Sequence, residues 1–146
     1  VIRAARTRAA DIDADVVVLD APPGVACAAV AAVRGADVVV HVTEPTAFGL
    51  HDLELSLRLA ENLGATSVVV VNREGSGPVD VAAWCERHGI PVLATLPFDR
   101  GIAETYARGA IAADESDAVA AGLKQLATDL GLLGDEAAHS GGEGDR

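Results

Sequence analysis

Short runs of β-branched, apolar residues, separated by segments of helix length, constrain the fold of this 146-residue chain most strongly. The runs are continuous, without polar alternation, which is typical of strands buried on both faces of a parallel sheet. They span residues 15–20, 37–43, 67–72 and 91–96. Because strands and helices alternate, the sequence predicts an α/β fold in three layers, with a mostly parallel sheet between helices.

Capping and terminating residues define the helices between these runs. Pro78 suits a first helical turn, and Asp99 and Ser116 suit N-caps. The predicted helices span residues 2–12, 25–33, 46–63, 78–88, 99–108 and 116–130. We expect residues 1–133 to be one domain, and residues 134–146, which are polar and Gly-rich, to be a disordered tail.

Charge and cysteine content exclude several classes of function. The formal net charge of −11 would repel a phosphate backbone, so we expect no nucleic acid partner. Cys27 and Cys85 are the only cysteines, which are too few for a disulfide framework. No apolar run approaches the roughly 20 residues that span a bilayer, so we expect a cytoplasmic protein with no membrane contact.

The loops after the strands are the expected position of a site, because ligands bind at the carboxyl ends of parallel strands. The first loop reads Asp20-Ala-Pro-Pro-Gly24. Its carboxylate can hold water around Mg²⁺ or orient water near a γ-phosphate, and the glycine can approach that phosphate closely. Asp20 alone is better explained as a strand-ending residue, but the whole string favours a nucleotide site.

Four segments together resemble one family of ATPases. Residues 15–24 look like the Walker B and switch II segment of the MinD/ParA/Mrp ATPases, the deviant-Walker group of P-loop NTPases. The string Val-Thr-Glu-Pro-Thr-Ala-Phe-Gly-Leu-His-Asp-Leu at 42–53 is more specific, and is similar to MinD-superfamily ATPases with an inserted ferredoxin domain. Residues 68–73 and 90–99 match that group in order and spacing, so the resemblance covers about residues 15–109.

The resemblance implies a role for each matching position. Asp20 would hold Mg²⁺ through water and act in the switch, and Gly24 would lie beside the γ-phosphate. Asn72 would recognise the adenine edge, since a carboxamide both donates and accepts; alone, it is equally well explained as a turn residue. The other implied residues are Glu44 and Thr46 in a loop near the nucleotide, Arg73 along the base or ribose, and Pro97, Phe98 and Asp99 across the base pocket.

The sequence departs from the family pattern in three respects. No Gly-rich loop with Lys and Ser or Thr precedes a helix, and Lys124, the only lysine, falls in a late predicted helix. The strand leading into that loop is absent as well. Two cysteines cannot ligate a [4Fe–4S] cluster, so the ferredoxin insert is absent too. Since the chain also begins at Val1 and contains no Met, we expect the C-terminal part of a longer ATPase, which neither binds nor hydrolyses a nucleotide unaided.

The implied parent protein is an ATP-dependent switch linked to a ferredoxin-like redox module. Its cofactors would be ATP and Mg²⁺, with an iron–sulfur cluster in the insert. Nucleotide would order the loops at Asp20 and Glu44 and change the affinity for a partner or a second copy in a homodimer. The alternatives are a non-catalytic module that pairs with a separate P-loop subunit, and a ParA/MinD-type positioning ATPase. The acidic C-terminus, which lacks a basic amphipathic helix, argues against a septum-site MinD.

A few residues outside these loops are further candidate sites. Cys27 is either a reactive thiol near a helix N-terminus, a ligand shared across a dimer or, as we favour, a small buried residue in an Ala-rich helix. His41 and Cys85 are expected in the core. His51 and Asp52 are either a metal or proton-transfer site or, more simply, a turn of surface helix.

Overall fold

The computed structural model describes residues 6–9 and 11–132. Its sheet has three parallel strands in the order β1-β2-β3. The strands are β1 Val38–Thr43, β2 Thr66–Glu74 and β3 Val92–Pro97. The helices are α1 Cys27–Val33, α2 Ala47–Asn62, α3 Val81–Arg87, α4 Arg100–Ala107, α5 Ala112–Glu115 and α6 Asp117–Asp129, and residues 6–9 are also helical. The predicted parallel α/β fold is therefore confirmed.

The centre of the fold is β2, whose residues 68–71 are at most 6% exposed. Val69 and Val71 join a buried cluster with Leu53 of α2 and with Val81 and Cys85 of α3. Val68 and Val70 point to the opposite face, because side chains alternate along a strand. Burial on both faces explains why this run is continuously apolar.

Helix α6 covers the second face of the sheet at β3. An ideal Cβ on Gly122 of α6 would lie 2.7 Å from Leu96 Cδ2, so helix and strand approach closely there. Leu96 shares its face with Ala94, which pairs with Val70 in the adjacent strand. Helices α2 and α6 thus lie on opposite faces, which gives the predicted three layers.

His41 of β1 ties this strand to two neighbouring elements. It is 5% exposed, its Nδ1 is hydrogen-bonded to Ser56 Oγ of α2, and its Nε2 lies 3.0 Å from Ser67 Oγ of β2. Burial lowers its pKa, which favours the neutral ring. The prediction of a satisfied core histidine is confirmed.

The predicted strand at residues 15–20 is wrong, because the structure shows no strand there. Val16, Val17 and Val18 are 46%, 50% and 82% exposed. A strand needs a hydrogen-bonded neighbour, and no part of the chain that the structure describes pairs with this segment. The apolar pattern of the run was identified correctly, but the burial that it predicts is not provided by residues 6–9 and 11–132.

Three predicted helix starts are confirmed, whereas α1 and α3 begin later than predicted and α5 was not predicted. Thr46 and Ser116 cap α2 and α6, and Asp99 caps α4. Helix α3 begins later than predicted, since its cap is Asp80, whose Oδ1 accepts from Ala83 N at 2.9 Å; Pro78 precedes it. The predicted tail at residues 134–146 and five of the eleven residues of the predicted first helix lie outside the described residues. Residues 6–9 of that helix are helical as predicted, whereas residues 11 and 12 are not.

Candidate functional site

The ends of the three strands meet at one group of side chains. Arg73 Nη1, near the end of β2, lies 3.4 Å from Glu44 Oε1, which directly follows β1. The Arg73 guanidinium carbon is 5.2 Å from the ring centre of Phe98, which follows β3. The Phe98 N–H also donates to the Glu74 carbonyl at 2.9 Å. We call Glu44, Arg73 and Phe98 the strand-end cluster.

The end of β2 is irregular, and this irregularity positions Asn72 and Arg73. The pairing runs from Val71↔Thr95 to Glu74↔Pro97, so β2 has one residue more than β3 across this interval. Arg73 has a φ of 55°, in the left-handed region that residues other than glycine rarely adopt. Bulges of this kind re-aim side chains and occur often beside functional sites. The carboxamide of Asn72 is partly exposed and forms no hydrogen bond within the described chain, so it is available to a ligand.

The loop at residues 44–46 is held tightly by neighbouring backbone. Pro45 is fully buried, and its carbonyl accepts from Val79 N at 3.2 Å. An ideal Cβ on Gly77 would lie 2.0 Å from the Pro45 oxygen, and one on Gly49 would lie 2.4 Å from the Glu44 oxygen. Both positions therefore require glycine. Sequence reasoning missed these two residues, although a glycine in the first turn of a helix was a usable signal.

Hydrogen bonds fix the same loop to the first turn of α2. The Thr43 hydroxyl donates to the Gly49 carbonyl at 2.9 Å, and the Thr46 hydroxyl accepts from Gly49 N at 2.9 Å. The Thr46 hydroxyl is therefore used as a helix cap. Since the Glu44 loop is already anchored by these bonds, we revise its expected role from switching to positioning.

The structure places the remaining predicted site residues at two separate positions. Pro97 ends β3, and the Asp99 carboxylate accepts from Gly101 N as the cap of α4, which gives Asp99 a structural role. Asp20 is exposed and Gly24 has a φ of +85°, which favours glycine. Within the described ranges, no hydrogen bond or ion pair joins Asp20 or Gly24 to the strand-end cluster.

The other candidate residues form no site in the described chain. Cys85 is fully buried, and desolvation raises the pKa of its thiol, so the prediction of core packing is confirmed. Cys27 is exposed at the start of α1, so the prediction that it is buried is wrong. His51 and Asp52 are exposed on α2, as expected for a turn of surface helix. Among residues 6–9 and 11–132, no three His, Cys, Asp or Glu side chains are grouped to hold a metal.

A concave surface lies beside α1, apart from the strand-end cluster. Its volume is about 680 Å³, and Arg6, Cys27 and Arg34 are among its lining residues. The Arg6 guanidinium donates to the Ala31 and Ala32 carbonyls at 3.1 and 2.8 Å, which satisfies the end of α1. Cys27 is the one candidate residue among those that line this surface, and none of the residues expected at the nucleotide site lines it.

Comparisons with known proteins identify relatives of similar fold. No family model matches the chain. Two uncharacterized proteins of Methanocaldococcus jannaschii are similar: one is 30% identical over 92 residues, covering 63% of this chain and 31% of that protein. The other is 25% identical over 129 residues, covering 86% of this chain and 43% of that protein. The chain thus spans less than half of the length of either relative.

Two solved structures match the fold closely. The MinD cell division protein of Aquifex aeolicus matches with a TM-score of 0.73 and 18% identity, over 90% of this chain and 59% of that one. The cell division ATPase MinD of Pyrococcus furiosus matches with a TM-score of 0.65 and 26% identity, over 79% of this chain and 51% of that one. No helix in the described ranges is both long and apolar enough to cross a membrane. Over most of its length, the chain therefore has the fold of the MinD proteins.

Proposed function

We propose that this chain forms the base-binding side, and the switch segment, of the ATP site of a MinD-like ATPase. The observation that carries the proposal is the bulged end of β2, where Asn72, whose carboxamide forms no hydrogen bond in the described chain, directly precedes Arg73, whose guanidinium carbon lies 5.2 Å from the ring centre of Phe98. A carboxamide pairs with both a donor and an acceptor on adenine, and an arginine over an aromatic ring offers a flat wall to the base. The likeness to the Pyrococcus furiosus cell division ATPase supports the same proposal.

The residues of the chain fit Mg²⁺ only as an ion that arrives with nucleotide. Asp20 is a single exposed carboxylate, without two further candidate ligands grouped beside it in the described chain. Mg²⁺ characteristically retains water and is held by one or two carboxylates together with substrate phosphates. Asp20 would bind such an ion through water, and Gly24 would give the segment its freedom to move.

Photolabelling of the 146-residue chain with 8-azido-ATP tests the proposal directly. We expect label on peptides that contain residues 72–74 or 97–99, and competition by ATP but not by GTP. Asn72→Leu should abolish most labelling, because it removes the groups that read the base. Asn62→Leu is the matched control, since Asn62 ends α2 and is exposed outside the candidate site. Equal labelling of the Asn72→Leu variant, or label confined to other peptides, would refute the proposal.

The link to a ferredoxin-like redox module is a finer proposal, supported by the similarity of residues 42–53 alone. The described chain does not fit an iron–sulfur cluster, because Cys85 is buried in the core and Cys27 is the only other cysteine. The cluster would therefore be bound by a separate segment or protein. A reduced [4Fe–4S] electron paramagnetic resonance signal from the intact gene product would support the link, and an iron-free, ATP-binding product would contradict it.

The edge of β1 favours a second candidate, a non-catalytic module that pairs with a separate P-loop subunit. Within the described ranges, β1 pairs with β2 alone, and Val38, Val40 and Val42 are 40%, 36% and 65% exposed. An open edge beside apolar side chains can accept a strand or cause aggregation. Sedimentation of the purified chain distinguishes the accounts: a stable, monodisperse species supports the module, whereas aggregation supports a piece of a larger ATPase.

A further inference from the structure

The strand-end cluster contains a cation held between two partners that are both fixed on rigid backbone. One partner is Glu44, in the loop locked by Gly49 and Gly77. The other is Phe98, whose N–H is bonded to the Glu74 carbonyl. Arg73 itself has a left-handed backbone, a conformation that persists only where the surroundings enforce it. The surrounding backbone therefore fixes the position of the Arg73 guanidinium.

The ion pair with Glu44 affects which group of a ligand Arg73 can bind. A free arginine at a nucleotide site commonly pairs with phosphate in a bidentate fork. Here Nη1 faces the Glu44 carboxylate at 3.4 Å, while the guanidinium lies 5.2 Å from the centre of the Phe98 ring. With its charge already compensated, the guanidinium is better suited to stacking on a neutral, planar group than to attracting an anion.

We propose that Glu44 is a positioning residue that holds Arg73 over Phe98, so that the two side chains form a preorganised stacking wall for a purine base. The inference rests on the proposed function, because it assumes that the strand ends receive the base of a nucleotide. It adds Glu44 as the residue that orients the wall. It also assigns Arg73 to stacking on the base and not to binding phosphate. The cluster should accordingly recognise adenosine without needing its phosphates.

The free 146-residue chain reports the positioning before any ligand is added. Protons of the Arg73 side chain that lie over the Phe98 ring should show upfield ring-current shifts in nuclear magnetic resonance spectra. Glu44→Gln keeps the shape but removes the charge, so these shifts should shrink toward those of an unstacked arginine. Raising the salt concentration should reduce them in the wild type and have little effect in the variant, because salt screens an exposed ion pair.

Glu74→Gln is the matched control for the lost charge. Glu74 is an exposed carboxylate next to Arg73 in sequence and forms no ion pair in the described chain. Its substitution should leave the Arg73 shifts unchanged, whereas Phe98→Leu should abolish them. Unchanged Arg73 shifts in the Glu44→Gln variant would overturn the positioning role, whether or not the chain binds nucleotide.

Titration of the same samples with adenosine tests whether the wall formed by Arg73 and Phe98 binds the base. We expect the dissociation constant to rise about two- to fivefold for Glu44→Gln and for Phe98→Leu, as the loss of an exposed ion pair or cation–π contact implies. Glu74→Gln should bind as the wild type does. Equal affinities in all four proteins would overturn the base-stacking role. The wild type could instead show the expected ring-current shifts but bind no adenosine. That result would refute the proposed function and the base-stacking role that rests on it, while the positioning of Arg73 by Glu44 would stand.

Discussion

At the scale of single residues, His41 makes the stability of the chain depend on pH. Its pKa is lowered in the folded state by burial, whereas in the unfolded chain it is about 6.5. The unfolded state therefore binds the proton more readily, so the free energy of unfolding should fall as the pH drops below about 6.5 and through the lower folded-state pKa. Chemical denaturation at pH 7 and pH 5 measures this loss. His41→Gln should be less stable at pH 7 but lose less on acidification; parallel losses would contradict the assignment.

The backbone of Arg73 gives a second prediction at this scale. Glycine adopts a φ of 55° without strain, whereas a β-branched residue does so poorly. Both Arg73→Gly and Arg73→Val remove the guanidinium, so their difference isolates the backbone. We expect the valine variant to be less stable than the glycine variant by about 1–3 kcal/mol in denaturant unfolding. Equal stabilities would mean that the left-handed conformation is not maintained in solution.

At the scale of elements, the close packing of the 44–46 loop against Gly77 should stabilise the folded chain. In Gly77→Ala the new methyl group would meet the Pro45 carbonyl, which is backbone and cannot rotate away. We expect a loss of about 1–3 kcal/mol in unfolding free energy, typical of overpacking. Gly101→Ala in α4 is the control, because its Cβ would meet only the tip of the Asp99 side chain at 3.0 Å, and it should change stability by less than about 1 kcal/mol. Similar losses in both variants would contradict the tight approach.

The same scale shows what the sequence could and could not predict. Helix caps such as Thr46 and Ser116 are local signals, and the continuous valines of β2 report its burial directly. The run at 15–20 carries the same signal without a strand partner in the described chain, because pairing depends on neighbours and not on the run itself. The bulge at Asn72 depends on the register against β3, which no pattern within β2 reveals. The sequence predicts that the loops after the strands lie at one edge of the sheet, but it does not predict which side chains contact each other there.

At the scale of the whole molecule, the fold resembles MinD proteins over a chain that covers 59% and 51% of the two solved structures. Its carboxyl edge contains the strand-end cluster, which we propose binds the base, and its sequence contains no Gly-rich loop with lysine. A complete ATP site combines base recognition with phosphate binding, and we revise the expectation that this chain binds no nucleotide unaided. Base recognition should be present in this chain, whereas the gain in affinity from cradled phosphates should be absent.

Comparison of the affinities for adenosine, ATP and guanosine by equilibrium dialysis tests this claim most directly. We predict that the chain binds adenosine and ATP with dissociation constants within about threefold of each other, because no phosphate cradle contributes. Guanosine should bind about tenfold more weakly, since its edge would leave the Asn72 carboxamide mispaired. Equal binding of guanosine, or ATP binding more than about a hundredfold tighter than adenosine, would contradict the account.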